Sequence, residues 1–320
     1  MSMPEPNNLM RFIKSLCAIS IAMIVFYSPC HAEQSNKTEN LSGDPVSTKP
    51  VSNSTEDISP LARRMIEEEK IYGSSYVLAP HRQNYFLVVN YNSDPNTEIY
   101  KNTGQDAPKA YEAKFQLSFK VLTWKEIFGD YGDLFVAYTQ RSVWQLYDSA
   151  LSSPFRDTNF EPEVFVKFDT DFNFGGLRNR VITFGFNHQS NGESESLSRS
   201  WNRIYAAFVA ERGNFALILK PWYRIPEKEE NDDNPNIEKY LGYGELIAAY
   251  YMEGHVFSLM FRNNLRSEEN RGAIELGWSY PVTPKVRVYV QYFNGYGESL
   301  IDYNNSVNRI GFGIMLNDWM

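Results

Sequence analysis

Polar and apolar side chains alternate without interruption in Lys114-Phe115-Gln116-Leu117-Ser118-Phe119-Lys120-Val121. A period of two is typical of a β-strand, because successive side chains of a strand point to opposite faces. From Asn84 onward the chain repeats this alternation in segments of about eight to twelve residues, separated by Gly, Pro, Asn and Asp. The sequence therefore predicts an all-β protein.

About twelve strands are predicted, an even number that lets an antiparallel sheet close into a barrel with both termini at one end. The predicted bounds are 84–91, 113–122, 133–144, 161–169, 180–189, 201–211, 214–222, 240–251, 255–264, 271–280, 285–294 and 306–317. Along the last strand, apolar side chains share one face, and Trp319 follows as the penultimate residue. This ending resembles the C-terminal signal that the machinery for barrel insertion recognises.

The alternation is compatible with a soluble β-sandwich, which buries one face of each strand, and with a membrane barrel, which turns that face to lipid. Charged side chains favour the barrel, because they lie mid-strand opposite apolar residues, as a polar lumen allows. These residues are Lys114, Lys120, Arg262, Glu275, Lys285 and Arg287. Aromatic residues make up 15% of the chain, which suits the aromatic girdles of such a barrel. We therefore predict a twelve-stranded antiparallel transmembrane β-barrel of the outer membrane.

Residues 1–32 are predicted to be a secretory signal peptide. Arg11 and Lys14 precede a short apolar stretch, residues 16–27, and small residues flank His31 at the expected cleavage site after Ala32. The apolar stretch is too short to cross a bilayer comfortably, which disfavours the alternative of an N-terminal membrane anchor. A lipoprotein cysteine at position 30 is disfavoured too, because the residues before it lack the usual small and apolar run.

The composition excludes several other classes of protein. The formal net charge of −8 argues against nucleic acid as the main partner, because counterion release requires a basic face. After the leader, no apolar run approaches the roughly 20 residues that a membrane helix needs. Cys17 and Cys30 are the two cysteines of the chain, and both lie in the leader, so the mature protein would use neither disulfides nor thiolate chemistry.

The segment after the leader, residues 33–71, is polar and free of aromatic residues, and we expect it to be a largely disordered extension. Its last part, residues 61–71, is compatible with a short exposed helix. Residues 72–320 would then form the barrel. Three histidines remain in this mature chain, which makes a zinc or iron site improbable and points any metal site to oxygen ligands, hence to calcium or magnesium.

A candidate catalytic pair lies in Phe186-Asn187-His188-Gln189-Ser190-Asn191-Gly192. His188 and Ser190 are two residues apart on a predicted strand, so they share a face and lie roughly 6.5 Å apart along the backbone. An imidazole in that position can take the proton of the serine hydroxyl. A third group must then orient the imidazole, and the strand that returns from this hairpin offers Asn202.

The parity of the two strands places these polar residues on the lipid-facing side. Even-numbered residues are apolar through Phe186 on the first strand and from Ile204 on the second, and His188, Ser190 and Asn202 continue both sets. Polar groups in that band cost a few kcal/mol unless they are satisfied. An enzyme whose substrate is the lipid itself would need them there. From the residues alone, a polar rim or surface turn stays open as the alternative.

Several motifs along the chain, in the same order, resemble those of the outer membrane phospholipases A of Gram-negative bacteria. The resemblance covers about Tyr85 to Trp319. The matching motifs are Lys114-Phe115-Gln116-Leu117-Ser118, Tyr138-Thr139-Gln140, Ser152-Ser153-Pro154-Phe155-Arg156, Asn187-His188, Ser190-Asn191-Gly192, Ser198-Arg199-Ser200-Trp201-Asn202-Arg203, Lys220-Pro221-Trp222-Tyr223, Asp232-Asp233-Asn234-Pro235 and Gly295-Tyr296-Gly297-Glu298-Ser299-Leu300-Ile301-Asp302-Tyr303.

The resemblance implies an activity and a triad. Ser190 matches the nucleophile of the family, His188 its general base, and Asn202 the residue that holds the histidine. Backbone N–H groups of Ser190 and Gly192 would bind the oxyanion, assisted by calcium-polarised water. The implied reaction is hydrolysis of the sn-1 and sn-2 acyl esters of phospholipids and lysophospholipids.

The resemblance also implies Ca²⁺ as cofactor and a homodimer as the active form. The matching calcium ligands are the hydroxyl of Ser198, the main-chain carbonyl of Glu193, and Ser152 of the partner subunit, with Asp233 as an associated carboxylate. Gln140 corresponds to a polar contact between subunits. Its alternative is a glutamine at the rim of the apolar band.

The other function that the sequence leaves open is a non-catalytic outer-membrane barrel of the same ancestry, serving as a channel or scaffold. Both functions share every strand feature, so only the triad distinguishes them. In either case we expect export to the bacterial outer membrane, with no nucleic-acid partner.

Overall fold

The computed structural model describes residues 58–72, 77–101, 107–149 and 154–319. The predicted signal peptide (1–32), the predicted extension as far as residue 57, and Ser152 lie outside the described residues. Those predictions therefore stay predictions.

Within the described residues, twelve long antiparallel strands form a closed barrel. Each strand pairs with its neighbours in the chain, and the last strand pairs with the first long one to close the ring. After a two-residue strand β1 (Ala79–Pro80), the strands are β2 (Asn84–Asn92), β3 (Tyr111–Trp124), β4 (Asp133–Trp144), β5 (Phe155–Phe174), β6 (Leu177–Ser190), β7 (Ser200–Arg212), β8 (Phe215–Ile225), β9 (Gly244–Met252), β10 (His255–Asn263), β11 (Gly272–Pro281), β12 (Arg287–Tyr296) and β13 (Ser306–Asn317). The predicted twelve-stranded antiparallel barrel is confirmed.

Some predicted strand bounds were wrong, for a physical reason. Strand β5 continues well beyond the predicted 161–169 at both ends, because its backbone pairs with β4 from Phe155 and with β6 as far as Phe174. The predicted strand 240–251 begins with a one-turn helix, α2 (Glu238–Leu241), and becomes a strand only at Gly244. Lys285 is exposed in the turn before β12, so its predicted mid-strand position was wrong.

The interior of the barrel is polar, and many of its charged side chains form ion pairs. Lys114 has no exposed surface, and its ammonium lies 3.0 Å from Glu298. The Arg309 guanidinium lies 2.6 Å from the same carboxylate. A buried charge is tolerated only where opposite charge and hydrogen bonds replace water, so these pairs follow from placing ions in the lumen.

The outer face of the barrel is apolar and exposed. Residues that alternate with the interior set keep large fractions of their side chains accessible, 54% for Phe184, 50% for Ile204 and 58% for Phe312. This arrangement, with charge inside and apolar surface outside, is that of a barrel in lipid.

A helix before the barrel, α1 (Pro60–Tyr72), packs across one opening of the barrel. The Glu68 carboxylate lies 2.8 Å from the ammonium of Lys120 on β3, and the Tyr72 ring packs edge-on against Phe135 at 5.3 Å between ring centroids. Leu61 in its first turn is buried. The expectation of an exposed helix was therefore wrong, because interior side chains of the barrel supply partners for it.

The described helices are short. None of them is both long and apolar enough to cross a membrane. The opening that α1 covers contains the β3–β4 turn and Asp318, which follows β13 and whose carbonyl oxygen accepts a hydrogen bond of 2.6 Å from Arg64. The long connections that follow β2, β4, β6 and β8 leave the barrel at the other end. The candidate site lies at that other end.

Candidate active site

Strands β6 and β7 bring His188 and Asn202 together. The two residues are directly paired in the ladder, and His188 Nδ1 lies 2.9 Å from Asn202 Oδ1. Their sequence neighbours Asn187 and Arg203 are buried inside the barrel, where both lie in hydrogen-bond range of Glu161. His188 and Asn202 therefore project from the outer, lipid-facing wall.

Ser190 is the last residue of β6 and shares the outer face with His188. It pairs with Phe160 on β5 and with Ser200 on β7. Asn202 Oδ1 can only accept a hydrogen bond, so the proton of the neutral imidazole is on Nδ1. Nε2 of His188 is then the acceptor nitrogen, which is the state that a general base for a serine hydroxyl requires.

The inner side of the same hairpin is rigidly packed. The indole of Trp201 is fully buried and donates a hydrogen bond of 2.9 Å to Gln189 Oε1 across the two strands. The guanidinium of Arg203 stacks on the Trp201 ring at 4.0 Å from its centroid. These interior contacts fix the register that places His188 opposite Asn202 on the outside.

Glu227 is a site residue that the sequence analysis missed. It lies in the connection after β8, and its Oε1 accepts a hydrogen bond of 2.9 Å from Asn202 Nδ2. Burial raises the pKa of the Glu227 carboxyl above its usual value, while the hydrogen bond from Asn202 opposes that shift. Ile225 pairs with Asn202 in the ladder, so parity along β8 is the signal that would have found Glu227.

The loop from residue 191 to 199 is held by Asn191, a residue of the Ser190-Asn191-Gly192 motif to which the sequence alone assigns no role. Its side-chain oxygen accepts hydrogen bonds from the backbone N–H groups of Arg199 (2.9 Å) and Glu193 (3.3 Å), and its Nδ2 donates to the Leu197 carbonyl at 2.9 Å. Gly192 follows with a φ of +70°, a conformation that disfavours side chains with a Cβ. One buried amide thus sets the shape of the loop after Ser190.

Two of the predicted calcium ligands meet at this loop. The Ser198 hydroxyl donates a hydrogen bond of 2.7 Å to Asp233 Oδ2, and the Ser200 hydroxyl lies 3.4 Å from the same oxygen. Glu193 is exposed in the loop that carries Ser198. Hydroxyl, carbonyl and carboxylate oxygens are ligands of the kind that calcium prefers, so these residues fit that ion.

A carboxylate-rich metal site is not present in the part of the chain that the structure describes. No three His, Cys, Asp or Glu side chains come close enough there to hold an ion. The single exposed carboxylate of Asp233 supplies little charge, so a calcium site here would depend on further oxygen ligands.

The connection that carries Asp233 is anchored to the start of β7. Asn234 is completely buried, and its Oδ1 accepts a hydrogen bond of 3.0 Å from the backbone N–H of Ser200. The Arg224 guanidinium, on the inner face of β8, lies 2.6 Å from the Asp232 carboxylate. The Asp232-Asp233-Asn234-Pro235 motif is visible in the sequence, but its anchoring role is visible only in the fold.

Gln140 lies on the outer face in the same cross-strand row as Ser190. It pairs with Phe160 on β5, which pairs in turn with Ser190 on β6, a lateral distance of about 10 Å. Its oxygen accepts a hydrogen bond from the Tyr138 hydroxyl at 3.1 Å, and its Nε2 donates to Ser142 at 3.2 Å. A polar group is therefore held within the apolar outer wall, close to the candidate site.

Comparison with known proteins gives consistent relatives. A family model described as phospholipase A1 matches residues 61–316. The phospholipase A1 of Salmonella typhimurium is 45% identical over 249 residues, which cover 77% of this chain and 84% of the relative. The phospholipase A1 of Escherichia coli K12 is 44% identical over 248 residues, covering 77% of this chain and 84% of that protein.

Solved structures agree in fold over most of the chain. Outer membrane phospholipase A from Escherichia coli, in a form whose active-site asparagine is replaced by alanine, matches with a TM-score of 0.72 and 42% identity over 77% of this chain and 94% of that one. A Salmonella typhi outer membrane phospholipase, solved as a dimer with bound calcium, matches with a TM-score of 0.73 and 42% identity over 79% of this chain and 97% of that one.

Proposed function

Since the chain belongs to the phospholipase A1 family, we propose that it hydrolyses acyl esters of phospholipids by a Ser190-His188-Asn202 triad, with calcium, as a homodimer. It is an outer-membrane β-barrel phospholipase. The single observation that carries the triad is the hydrogen bond of 2.9 Å between His188 and Asn202 on the lipid-facing wall. The active-site asparagine of the Escherichia coli relative supports the role of Asn202.

In the proposed mechanism, the hydroxyl oxygen of Ser190 attacks the ester carbonyl while His188 Nε2 takes its proton. The developing oxyanion would accept hydrogen bonds from the backbone N–H groups of Ser190 and Gly192. His188 then returns the proton to the departing alcohol oxygen, and water hydrolyses the acyl-enzyme by the same route in reverse. Asn202 keeps the imidazole in the tautomer that both steps need.

The position of the triad supports a lipid substrate. His188 and Ser190 open onto the outer wall of the barrel, so an ester at the edge of the bilayer would reach them without leaving the membrane. A phospholipid and its lysophospholipid product present the same type of ester at this depth. We therefore propose hydrolysis at both the sn-1 and the sn-2 position.

Calcium and the dimer belong together in this proposal. Ser198, the Glu193 carbonyl and Asp233 would hold the ion, completed by Ser152 of the partner subunit. When bound, calcium would supply positive charge near the developing oxyanion. The Salmonella typhi relative, a dimer with bound calcium, supports this arrangement. Gln140, next to Ser190 on the outer wall, would face its counterpart in the second subunit.

Hydrolysis of phospholipid vesicles by the purified protein, with calcium or with a chelator, tests the proposal. The wild type should release fatty acid only with calcium. The rate of release by Ser190→Ala should be at least about a thousandfold lower than that of the wild type. Ser306→Ala, which changes an exposed serine at the start of β13, is the matched control and should stay active. Full activity of Ser190→Ala would overturn the triad, whereas an inactive wild type would favour the channel or scaffold alternative.

A further inference from the structure

The amide of Asn202 has different partners at its two ends. Its oxygen faces His188 Nδ1 at 2.9 Å, and its nitrogen faces Glu227 Oε1, also at 2.9 Å. An asparagine side chain is nearly symmetric in shape, so its packing alone does not decide which end faces the histidine. The group bound to the other end of the amide, Glu227, can decide which end faces the histidine.

A carboxylate is an obligate acceptor when it is ionised. Glu227 therefore requires the NH₂ end of Asn202, and this leaves only the oxygen to face His188. An oxygen there requires the imidazole proton on Nδ1, which in turn leaves Nε2 as the base. The hydrogen bond to the Glu227 carboxylate thus determines which way the Asn202 amide is turned. The amide in turn determines the tautomer of His188.

We propose that Glu227 is a positioning residue for the hydrolysis, acting as the fourth member of a Ser190-His188-Asn202-Glu227 chain. The inference rests on the proposed triad, to which it adds the negative charge of Glu227. Asparagine by itself stabilises an imidazolium less than an aspartate does, because it carries no net charge. A carboxylate hydrogen-bonded to the far end of the amide polarises it toward the histidine and recovers part of that stabilisation.

Strand geometry supports a dedicated role. His188, Asn202 and Ile225 form one cross-strand row on the outer face of β6, β7 and β8, and Glu227 continues that face two residues beyond Ile225. Asn234 and the ion pair between Arg224 and Asp232 already anchor the connection, so Glu227 is not needed to hold it in place.

The charge of Glu227 should be visible in the pH dependence. The charged groups that act on it are Arg224, Asp232 and Asp233, besides the hydrogen bond from Asn202. Because its pKa is raised, Glu227 loses its charge earlier than an ordinary glutamate as the pH falls. A protonated Glu227 no longer requires the NH₂ end of Asn202. As the pH falls, protonation of two groups, His188 and Glu227, should therefore lower the activity.

The first test is a steady-state comparison at saturating calcium of wild type, Glu227→Ala, Glu227→Gln and the control Glu229→Ala, whose residue lies in the same connection. We expect kcat to fall about tenfold to a hundredfold in Glu227→Ala with little change in KM, and less in Glu227→Gln, which keeps an acceptor oxygen. The acid limb of the kcat profile should become less steep in both Glu227 variants. An unchanged kcat and an unchanged acid limb would overturn the proposal.

The second test is a double-mutant comparison. In Asn202→Asp, a carboxylate would face Glu227, and two like charges would repel each other. Adding Glu227→Gln should then restore activity by about tenfold or more relative to Asn202→Asp alone. If Glu227→Gln lowers activity equally in both backgrounds, the chain does not act as a unit and the proposal fails.

Ser190→Ala separates this proposal from the function on which it rests. An inactive Ser190→Ala together with a fully active Glu227→Ala would overturn only the role of Glu227. An active Ser190→Ala would overturn the triad itself. Heat-modifiable migration of each variant in gels would show that the barrel is folded.

Discussion

At the scale of single residues, the site depends on polar groups placed where a barrel wall is otherwise apolar. Such groups cost free energy unless they are satisfied, and His188 and Asn202 satisfy each other across one ladder pair. Glu227 then satisfies the remaining end of Asn202. A row of hydrogen bonds on the outer face thus replaces the water that these groups would lose at the membrane.

Replacing Asn202 by alanine should lower hydrolysis without abolishing it. The change removes the acceptor that fixes the imidazole but leaves Ser190 and His188, so we expect a fall of about one to three orders of magnitude in kcat. Initial rates on vesicles would measure it. Asn214→Ala, in an exposed turn, should match the wild type. Wild-type turnover in Asn202→Ala would mean that another group orients the histidine.

At the scale of elements, the connection between β8 and β9 and the helix α1 each depend on buried or paired side chains. The connection brings Glu227 and Asp233 to the outer face, and one of its anchors is the buried amide of Asn234 on the Ser200 backbone. Helix α1 covers the opposite opening and is tied to the wall by the pair of Glu68 with Lys120. Both elements can therefore be loosened by one substitution.

Asn234→Ala should loosen the β8–β9 connection. The substitution leaves the Ser200 N–H without its acceptor, a cost of about 1–3 kcal/mol. Amide hydrogens in residues 226–237 should exchange faster, and hydrolysis should decline because Glu227 and Asp233 lose their positions. Asn236→Ala is the matched control, because Asn236 is exposed in the same segment. Equal exchange in the two variants would contradict the anchoring role.

Acid should release α1 from the opening of the barrel. Burial opposes ionisation of Glu68, but Lys120 and Arg64 outweigh it and lower the pKa of the carboxyl from 4.5 to about 2. A lowered pKa stabilises the docked helix above pH 4.5, and this stabilisation, on the order of 2 kcal/mol, is lost as the pH falls toward 2.

Hydrogen exchange of the α1 amides, corrected for intrinsic rates, would measure this release between pH 5 and 2. In Glu68→Gln the helix should be loose throughout and lose this part of its pH dependence. The same pH dependence in both proteins would assign the release to another group.

At the scale of the whole molecule, the proposed dimer would form through the wall that carries Gln140 and Ser190. Gln140 and Ser190 lie in one row on that wall, separated by Phe160. Calcium bound between two subunits would favour the dimer over the monomer, because a ligand that binds one state better shifts the equilibrium toward it.

Single introduced cysteines should show whether that wall lies in the dimer interface, because the predicted mature chain has no cysteine of its own. Calcium should increase the amount of crosslinked dimer of Gln140→Cys, on β4, by at least about tenfold over the chelated sample. Phe257→Cys, on β10 half a turn around the barrel, also faces outward and should show no such increase. Equal crosslinking at both positions, or crosslinking indifferent to calcium, would contradict a shared calcium site on the β4 wall.

The local sequence determined the strands and their faces. Predicted and observed bounds coincide for 306–317 and for 133–144, since alternation with a period of two is a property of neighbouring residues alone. The same parity placed His188, Ser190 and Asn202 on the outer wall. It also placed Lys114 and Arg262 inside, where the structure has them.

Only the tertiary structure decided which distant groups meet. Glu227 reaches Asn202, Asn234 reaches Ser200, and α1 closes the far opening, because the closed ring brings together the ends of strands and connections. Parity along β8 places Glu227 on the outer face, but no local pattern shows that it reaches Asn202, that Asn234 reaches Ser200, or that α1 reaches the opening. The length of β5 has the same cause, since it is set by backbone pairing with β4 and β6. Period and parity are local, whereas closure of the ring depends on pairings between residues far apart in the chain.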